Sequence, residues 1–204
     1  VAAILDGLDG RIARILKGAS KFGAELDSLS DFICFGVAPS VLLYLWTMRG
    51  FDRLGWVLVL LFSVCCALRL ARFNTRLDEP DQPAWTVNYF SGVPSPMGAG
   101  LVLAPMILSF EFGTDAFKNP IVVSAAIIIV SALLVSPIPT YSFTKMRVPH
   151  RWVLPVMLLV GLFAAALVSA PWSTMSACLA IYVATIPFSI RSYRRLKRIG
   201  PAAS

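Results

Sequence analysis

The chain has 204 residues, of which 57% are apolar and 14% charged, with a mean hydropathy of +0.76. An average soluble domain is about half apolar and a quarter charged, so a water-soluble globule is excluded, and recurrent apolar runs suited to a hydrocarbon core of about 30 Å imply a polytopic membrane protein. The formal net charge of +7 would suit a nucleic-acid partner only if the basic residues gathered on one water-facing surface, so the spans must be placed before the sign is interpreted.

The first stretch, 1–16, is helical in pattern but short and studded with charge. It opens on Val1 without a signal peptide's basic flank and cleavage site, and is expected to be a clipped helix whose natural beginning lies upstream. Lys17-Gly18-Ala19-Ser20 is a turn signal. Six clear apolar runs follow, at 32–47, 54–70, 93–110, 120–135, 152–170 and 173–190. The expected fold is therefore all-α, a polytopic transmembrane helical bundle with six spans and a truncated N-terminal helix. It forms one membrane domain over 1–204: a catalytic hairpin at 1–48, the remaining spans at 49–190 and a basic tail at 191–204.

If each run crosses once and Arg11, Arg14, Lys17 and Lys21 lie in the cytoplasm, then of the 18 basic residues only Arg49, Arg53 and Lys118 fall on the far side. The positive-inside rule accounts for that asymmetry and leaves no excess charge for a nucleic acid to explain. The tail from Arg191 to Ser204 suits an anionic lipid surface. Cys34, Cys65, Cys66 and Cys178 all fall inside apolar runs and lack the spacing of a redox or zinc site, so they read as small packing residues. His150, the one histidine, has no partners for a metal site and reads as interfacial. Trp46, Trp152 and Trp172 lie near span ends, as interfacial aromatics do.

Of the 11 acidic residues, Asp6, Asp9, Glu25, Asp27 and Asp31 crowd into the first hairpin. Asp6 and Asp9 are spaced i, i+3 and Asp27 and Asp31 i, i+4, so on two helices each pair projects from one face. An antiparallel hairpin through Lys17–Ser20 brings both pairs to one point near the cytoplasmic end. Two unit charges 4 Å apart repel by about 4 kcal/mol at an effective dielectric near 20, so the cluster requires cations. Either Arg11, Arg14, Lys17 and Lys21 or bound divalent ions, which as hard cations select carboxylate oxygens, meet that need. Gly10, Ala13 and Gly23 leave one side of the hairpin without bulk, open to a flat ring or a phosphate or to a packed helix.

Written out, Asp6-Gly7-Leu8-Asp9-Gly10-Arg11-Ile12-Ala13-Arg14 followed by Gly23, Asp27 and Asp31 has the form DxxDGxxARx8GxxxDxxxD. At every fixed position this resembles the signature of the CDP-alcohol phosphatidyltransferases, membrane enzymes that move a phosphatidyl-type group from a CDP-linked donor to an alcohol and release CMP. Ser30-Asp31-Phe32 running into Phe35-Gly36-Val37-Ala38-Pro39, then Leu68-Arg69-Leu70-Ala71-Arg72-Phe73-Asn74, then Phe90-Ser91-Gly92-Val93-Pro94-Ser95-Pro96 resemble the bacterial phosphatidylserine synthase branch. The likeness covers the chain to about position 110; beyond it only the topology agrees.

The resemblance implies that Asp6, Asp9, Asp27 and Asp31 hold two divalent ions, Mg²⁺ or Mn²⁺, on the donor pyrophosphate, and that Asp31 is also the general base for the attacking hydroxyl. It implies that Gly10, Ala13 and Gly23 line the cytidine and phosphate side, with Arg14 on phosphate or on the acids. The donor would be CDP-diacylglycerol and the acceptor L-serine, in a homodimer in the bacterial inner membrane with the site open to the cytoplasm. A further membrane helix is expected before the motif.

The residues themselves leave the acceptor side open. Arg69 and Arg72 lie i, i+3 at the cytoplasmic end of a span, where an Arg fork can hold an acceptor carboxylate or a donor phosphate, or merely flank the span. Arg69, followed by Leu70 and Ala71, is placed deeper than a flanking charge needs to be. Gly92–Pro96 cannot be regular helix throughout, and irregular backbone at a membrane boundary lines a cavity or lies in protein, here beside the acceptor. Within the family, glycerol 3-phosphate or inositol phosphate is the competing acceptor class and needs a strongly basic pocket. Outside it, a membrane prenyltransferase shares the paired Asp motifs but not the nucleotide, and a transporter places its acids along a midplane pathway.

Overall fold

The computed structural model describes residues 21–77, 89–136, 139–141 and 153–199. The segments 1–20 and 142–152, with His150, lie outside the described residues.

Helix α1, Lys21–Phe32, runs on through a π-helical turn at Ile33–Val37 into α2, Ala38–Leu43, and a second π turn at Tyr44–Met48. Pro39 explains the first widened turn: it has no N–H to donate back along the helix, and its ring crowds the turn before it. Ser40 Oγ lies 3.0 Å from Gly36 O and 2.9 Å from Val37 O, so its one hydroxyl proton is shared between these carbonyls of the preceding turn. A short 3₁₀ turn at Arg49–Phe51 reverses the chain into α3, Asp52–Leu77.

The two arms pack antiparallel in a register fixed by side chains. Ser28 Oγ accepts from Asn74 Nδ2 at 3.0 Å, and Ser40 and Ser63 share a hydrogen bond at 3.3 Å. Between them Gly36 lies flush against Cys66, where a Cβ at position 36 would stand 3.1 Å from the cysteine Cβ. This register sets Asp31 opposite the turn of α3 that contains Arg69.

The apolar run at 93–110, expected as one span, is two helices, α4 (Ser95–Val102) and α5 (Ala104–Phe112), bent by 47°. Leu103 breaks it, with φ −81° and ψ −6°, because Pro105 cannot continue the hydrogen-bond ladder through that turn. Gly113, left-handed at φ +60°, ends α5. Helix α6, Pro120–Val135, starts on Asn119, whose side chain accepts from Ile121 N at 2.9 Å. The last helices are α7, Val153–Ser169, and α8, Pro171–Ile199.

The described structure is thus a helical bundle, all-α apart from one short two-stranded ribbon. Glu25–Phe51 and Arg53–Thr75 are long and apolar enough to cross a membrane, and the bent pair α4–α5 makes a third span if counted as one. Pro120–Val135 and Leu154–Ser169 are apolar but shorter, and at 1.5 Å per residue the 16 residues of α6 reach about 24 Å. Among the described residues, length and apolar composition together therefore support two spans, or three with the bent pair, and not six.

The core gathers where α3 meets α4 and α6. Phe62, Cys66, Val102, Val123 and Ile127 are wholly buried there, and all four cysteines are free thiols. Leu54, Val57, Leu60, Val64 and Leu68 of α3 face outward, an apolar face suited to lipid. The ring centres of Trp172 and Phe110 lie 4.8 Å apart with the planes tilted by 41°, and those of Trp46 and Phe110 lie 6.3 Å apart.

A two-stranded ribbon was not anticipated. β1, Tyr89–Ser91, pairs antiparallel with β2, Pro139–Tyr141, with Tyr89 opposite Tyr141 and Ser91 opposite Pro139. Gly92 lets the chain leave β1: its φ is +82°, and a Cβ there would stand 2.7 Å from Leu134 O. Gly92→Ala is expected to cost about 1–3 kcal/mol, from backbone strain and the clash together. Thermal unfolding in detergent checks this against Gly113→Ala, whose site has a positive φ but open space. Equal midpoints for the two variants would contradict it.

Candidate functional site

Of the site residues expected from sequence, Gly23, Asp27, Asp31, Arg69 and Arg72 are described. Asp6, Asp9, Gly10, Ala13 and Arg14 lie outside the described residues. Gly23, Asp27 and Asp31 share α1, with Gly23 and Asp27 exposed and Asp31 half-buried. Asp31 Oδ1 is shielded from solvent. Two carboxylates one turn apart are hard oxygen donors and fit part of the set that Mg²⁺ or Mn²⁺ takes. Among the described residues no group of three or more potential metal ligands forms.

Across the helix pair, Arg69 is buried at 9% exposure. An ionised side chain at such depth has to be compensated by neighbours. Its Nη1 donates to Ser95 Oγ at 2.9 Å, and its Cζ lies 5.5 Å from the centre of the Phe73 ring. Asp31 lies within electrostatic reach of Arg69, as does the Tyr182 hydroxyl on α8. The Cys66 thiol completes the cluster, in hydrogen-bonding range of Ser95. The arrangement is a shielded carboxylate beside a buried guanidinium, lined by hydroxyls from α4 and α8: a carboxylate that can take a proton beside a cation that can hold an anion.

Arg72 is placed differently from Arg69. It is exposed, and Nη1 donates to Val135 O at 2.9 Å, capping the carbonyl end of α6. The two arginines therefore do not act here as one fork. Ser95 and Tyr182 were not singled out in the sequence as binding residues. Ser95 belongs to the irregular Gly92–Pro96 stretch, which was a signal for it. Tyr182 lies far beyond position 110, where the motif resemblance stops, and nothing local marks it.

A model of the CDP-alcohol phosphatidyltransferase family matches residues 1–138, and a second, CDP-alcohol phosphatidyltransferase 2, matches 151–187. The chain is 43% identical over 195 residues to the CDP-diacylglycerol–serine O-phosphatidyltransferase of Mycobacterium leprae, an alignment covering 96% of this chain and 65% of that protein. The protein of the same name from Mycobacterium bovis is 41% identical over 96% of this chain and 68% of its own length. That of Helicobacter pylori strain 26695 is 35% identical over 88% of this chain and 72% of its own. The chain thus spans just under two thirds of the length of the Mycobacterium leprae relative. With the signature complete from Asp6 to Asp31 and a family model over more than half its length, this chain belongs to the CDP-alcohol phosphatidyltransferase family.

Proposed function

We propose that the protein transfers the phosphatidyl group of CDP-diacylglycerol to L-serine, forming phosphatidylserine and releasing CMP. The observation that carries this reading is the likeness over nearly the whole chain to relatives named for that reaction. The site chemistry agrees with it. Asp31 takes the proton of the serine hydroxyl, whose oxygen forms the new bond to the phosphatidyl phosphorus as the bond to CMP breaks. Arg69 holds the serine carboxylate, a task for which a planar guanidinium is better matched than an ammonium.

Asp6, Asp9, Asp27 and Asp31 are the residues proposed to hold two Mg²⁺ or Mn²⁺ ions. When bound, such ions polarise phosphoryl oxygens and neutralise the leaving phosphate. Gly10, Ala13 and Gly23 make room for the nucleotide, with Arg14 on its phosphates. Arg72 serves the fold rather than the acceptor in this reading. An apolar groove of about 460 Å³, lined by Phe32, Val37, Val41, Val64, Leu68 and Ala71, includes the residue that follows Asp31 in the chain and would give a donor acyl chain a path along the outer face. In this reading the remaining apolar runs complete six spans, the positive-inside asymmetry favours a site facing the cytoplasm from the bacterial inner membrane, and the family resemblance favours a homodimer.

Chelation tests the metal assignment. EDTA is expected to abolish CMP release from CDP-diacylglycerol and serine, and Mg²⁺ or Mn²⁺ to restore it. Release that persists in EDTA contradicts the metal site, and release with glycerol 3-phosphate but not with serine overturns the acceptor.

A further inference from the structure

Ser95 is 1% exposed, opens α4 directly after the irregular Gly92–Pro94 backbone, and makes the hydrogen bond that fixes Arg69. An arginine presents five N–H donors in one rigid plane, so a single strong contact on one edge decides where the others point. The guanidinium is flanked by the Phe73 ring, and among the described residues Ser95 is its one hydrogen-bond acceptor. A guanidinium has more donors than the one Ser95 engages, so on this side chain, more than nine-tenths buried, the rest of the fork is chemically suited to an anion brought in from outside. The register of α1 against α3 sets that fork beside Asp31.

We infer that Ser95 is a positioning residue for the acceptor: its hydroxyl sets the guanidinium of Arg69 so that an amino-acid carboxylate docks with its own hydroxyl presented to Asp31. This rests on the reading proposed above. Ser95 touches neither donor nor acceptor; it acts through Arg69. Its effect therefore falls on the affinity for a carboxylate-bearing acceptor and leaves the affinity for the donor unchanged.

The test compares wild type, Ser95→Ala and Ser95→Thr in purified protein with CDP-diacylglycerol and Mn²⁺, measuring KM for L-serine, KM for the donor, and inhibition by L-serinamide, which keeps the hydroxyl and amine but lacks the carboxylate. Ser95→Ala is expected to raise KM for serine about tenfold, the scale of a lost hydrogen bond to a charged group. The donor KM and the serinamide inhibition constant should stay within about twofold, and Ser95→Thr should recover most of the serine affinity. If Ser95→Ala fails to fold, Ser95→Cys, which keeps the volume and weakens the hydrogen bond, is read in the same way. An unchanged KM for serine, or an equal loss for serine and serinamide, overturns the role while leaving the transfer reaction intact. A wild type that releases CMP with no acceptor removes the underlying reading and the role together.

Discussion

Asp31→Asn is expected to lower turnover by about 10²–10⁴-fold, the range a positioned general base contributes, in a protein that still inserts and folds. The substitution keeps the shape of the side chain and removes its charge and its capacity to take a proton. Asp31 is suited to that work by its surroundings: one oxygen is shielded from solvent and the carboxylate lies within reach of a buried guanidinium. Asp27, one turn earlier on α1, is exposed, so Asp27→Asn should instead act mainly through metal affinity and be partly rescued by raised Mn²⁺. Steady-state CMP release across a metal titration separates the two. Turnover by Asp31→Asn within tenfold of wild type would contradict the assignment of the base.

Arg69→Met should have the second largest effect, in stability as well as activity. Methionine fills much of the volume but leaves Ser95, Cys66 and the shielded Asp31 without their cation. Breaking a fully buried charged pair costs about 3–5 kcal/mol; Asp31 is only half-buried, so the expected loss here is smaller, about 2 kcal/mol. Arg69→Lys retains the charge and should recover most of the stability, while failing to restore serine affinity because an ammonium lacks the planar fork. Arg72→Met removes an exposed donor to Val135 O and should cost about 1 kcal/mol. Unfolding in detergent followed by tryptophan fluorescence ranks the three. An Arg69→Met protein as stable as Arg72→Met would show that Arg69 does not compensate the buried site.

The parts of this arrangement that sequence made legible are local ones. A helix carries Asp27 and Asp31 on one face by spacing alone, and the apolar residues after Arg69 already marked it as deep. Gly92 and Pro94 announced irregular backbone, and the structure gives Gly92 a positive φ. What sequence did not carry depends on residues far apart in the chain. Arg69 meets Ser95 across 26 positions and Arg72 meets Val135 across 63, and no periodicity encodes either contact. Tyr182 comes within electrostatic range of Arg69 only because α8 folds back onto the bundle. The break at Leu103 was a different kind of omission: Pro105 stood in the apolar run, but continuous hydropathy masked its effect on the ladder. The pairing of Tyr89–Ser91 with Pro139–Tyr141 joins two connections whose short segments show no strand alternation of useful length.

The central claim is that serine's own hydroxyl takes the phosphatidyl group from CDP-diacylglycerol at the Asp31–Arg69 site. Supplying L-serine labelled with ¹⁸O in its hydroxyl and analysing the lipid product by mass spectrometry tests it most directly. The account predicts one labelled phosphatidylserine for each CMP released, with the label in the bridging oxygen between phosphorus and the serine carbon, and loss of both products in Asp31→Asn. CMP release without labelled phosphatidylserine, or a lipid product formed equally well by Asp31→Asn, would contradict it.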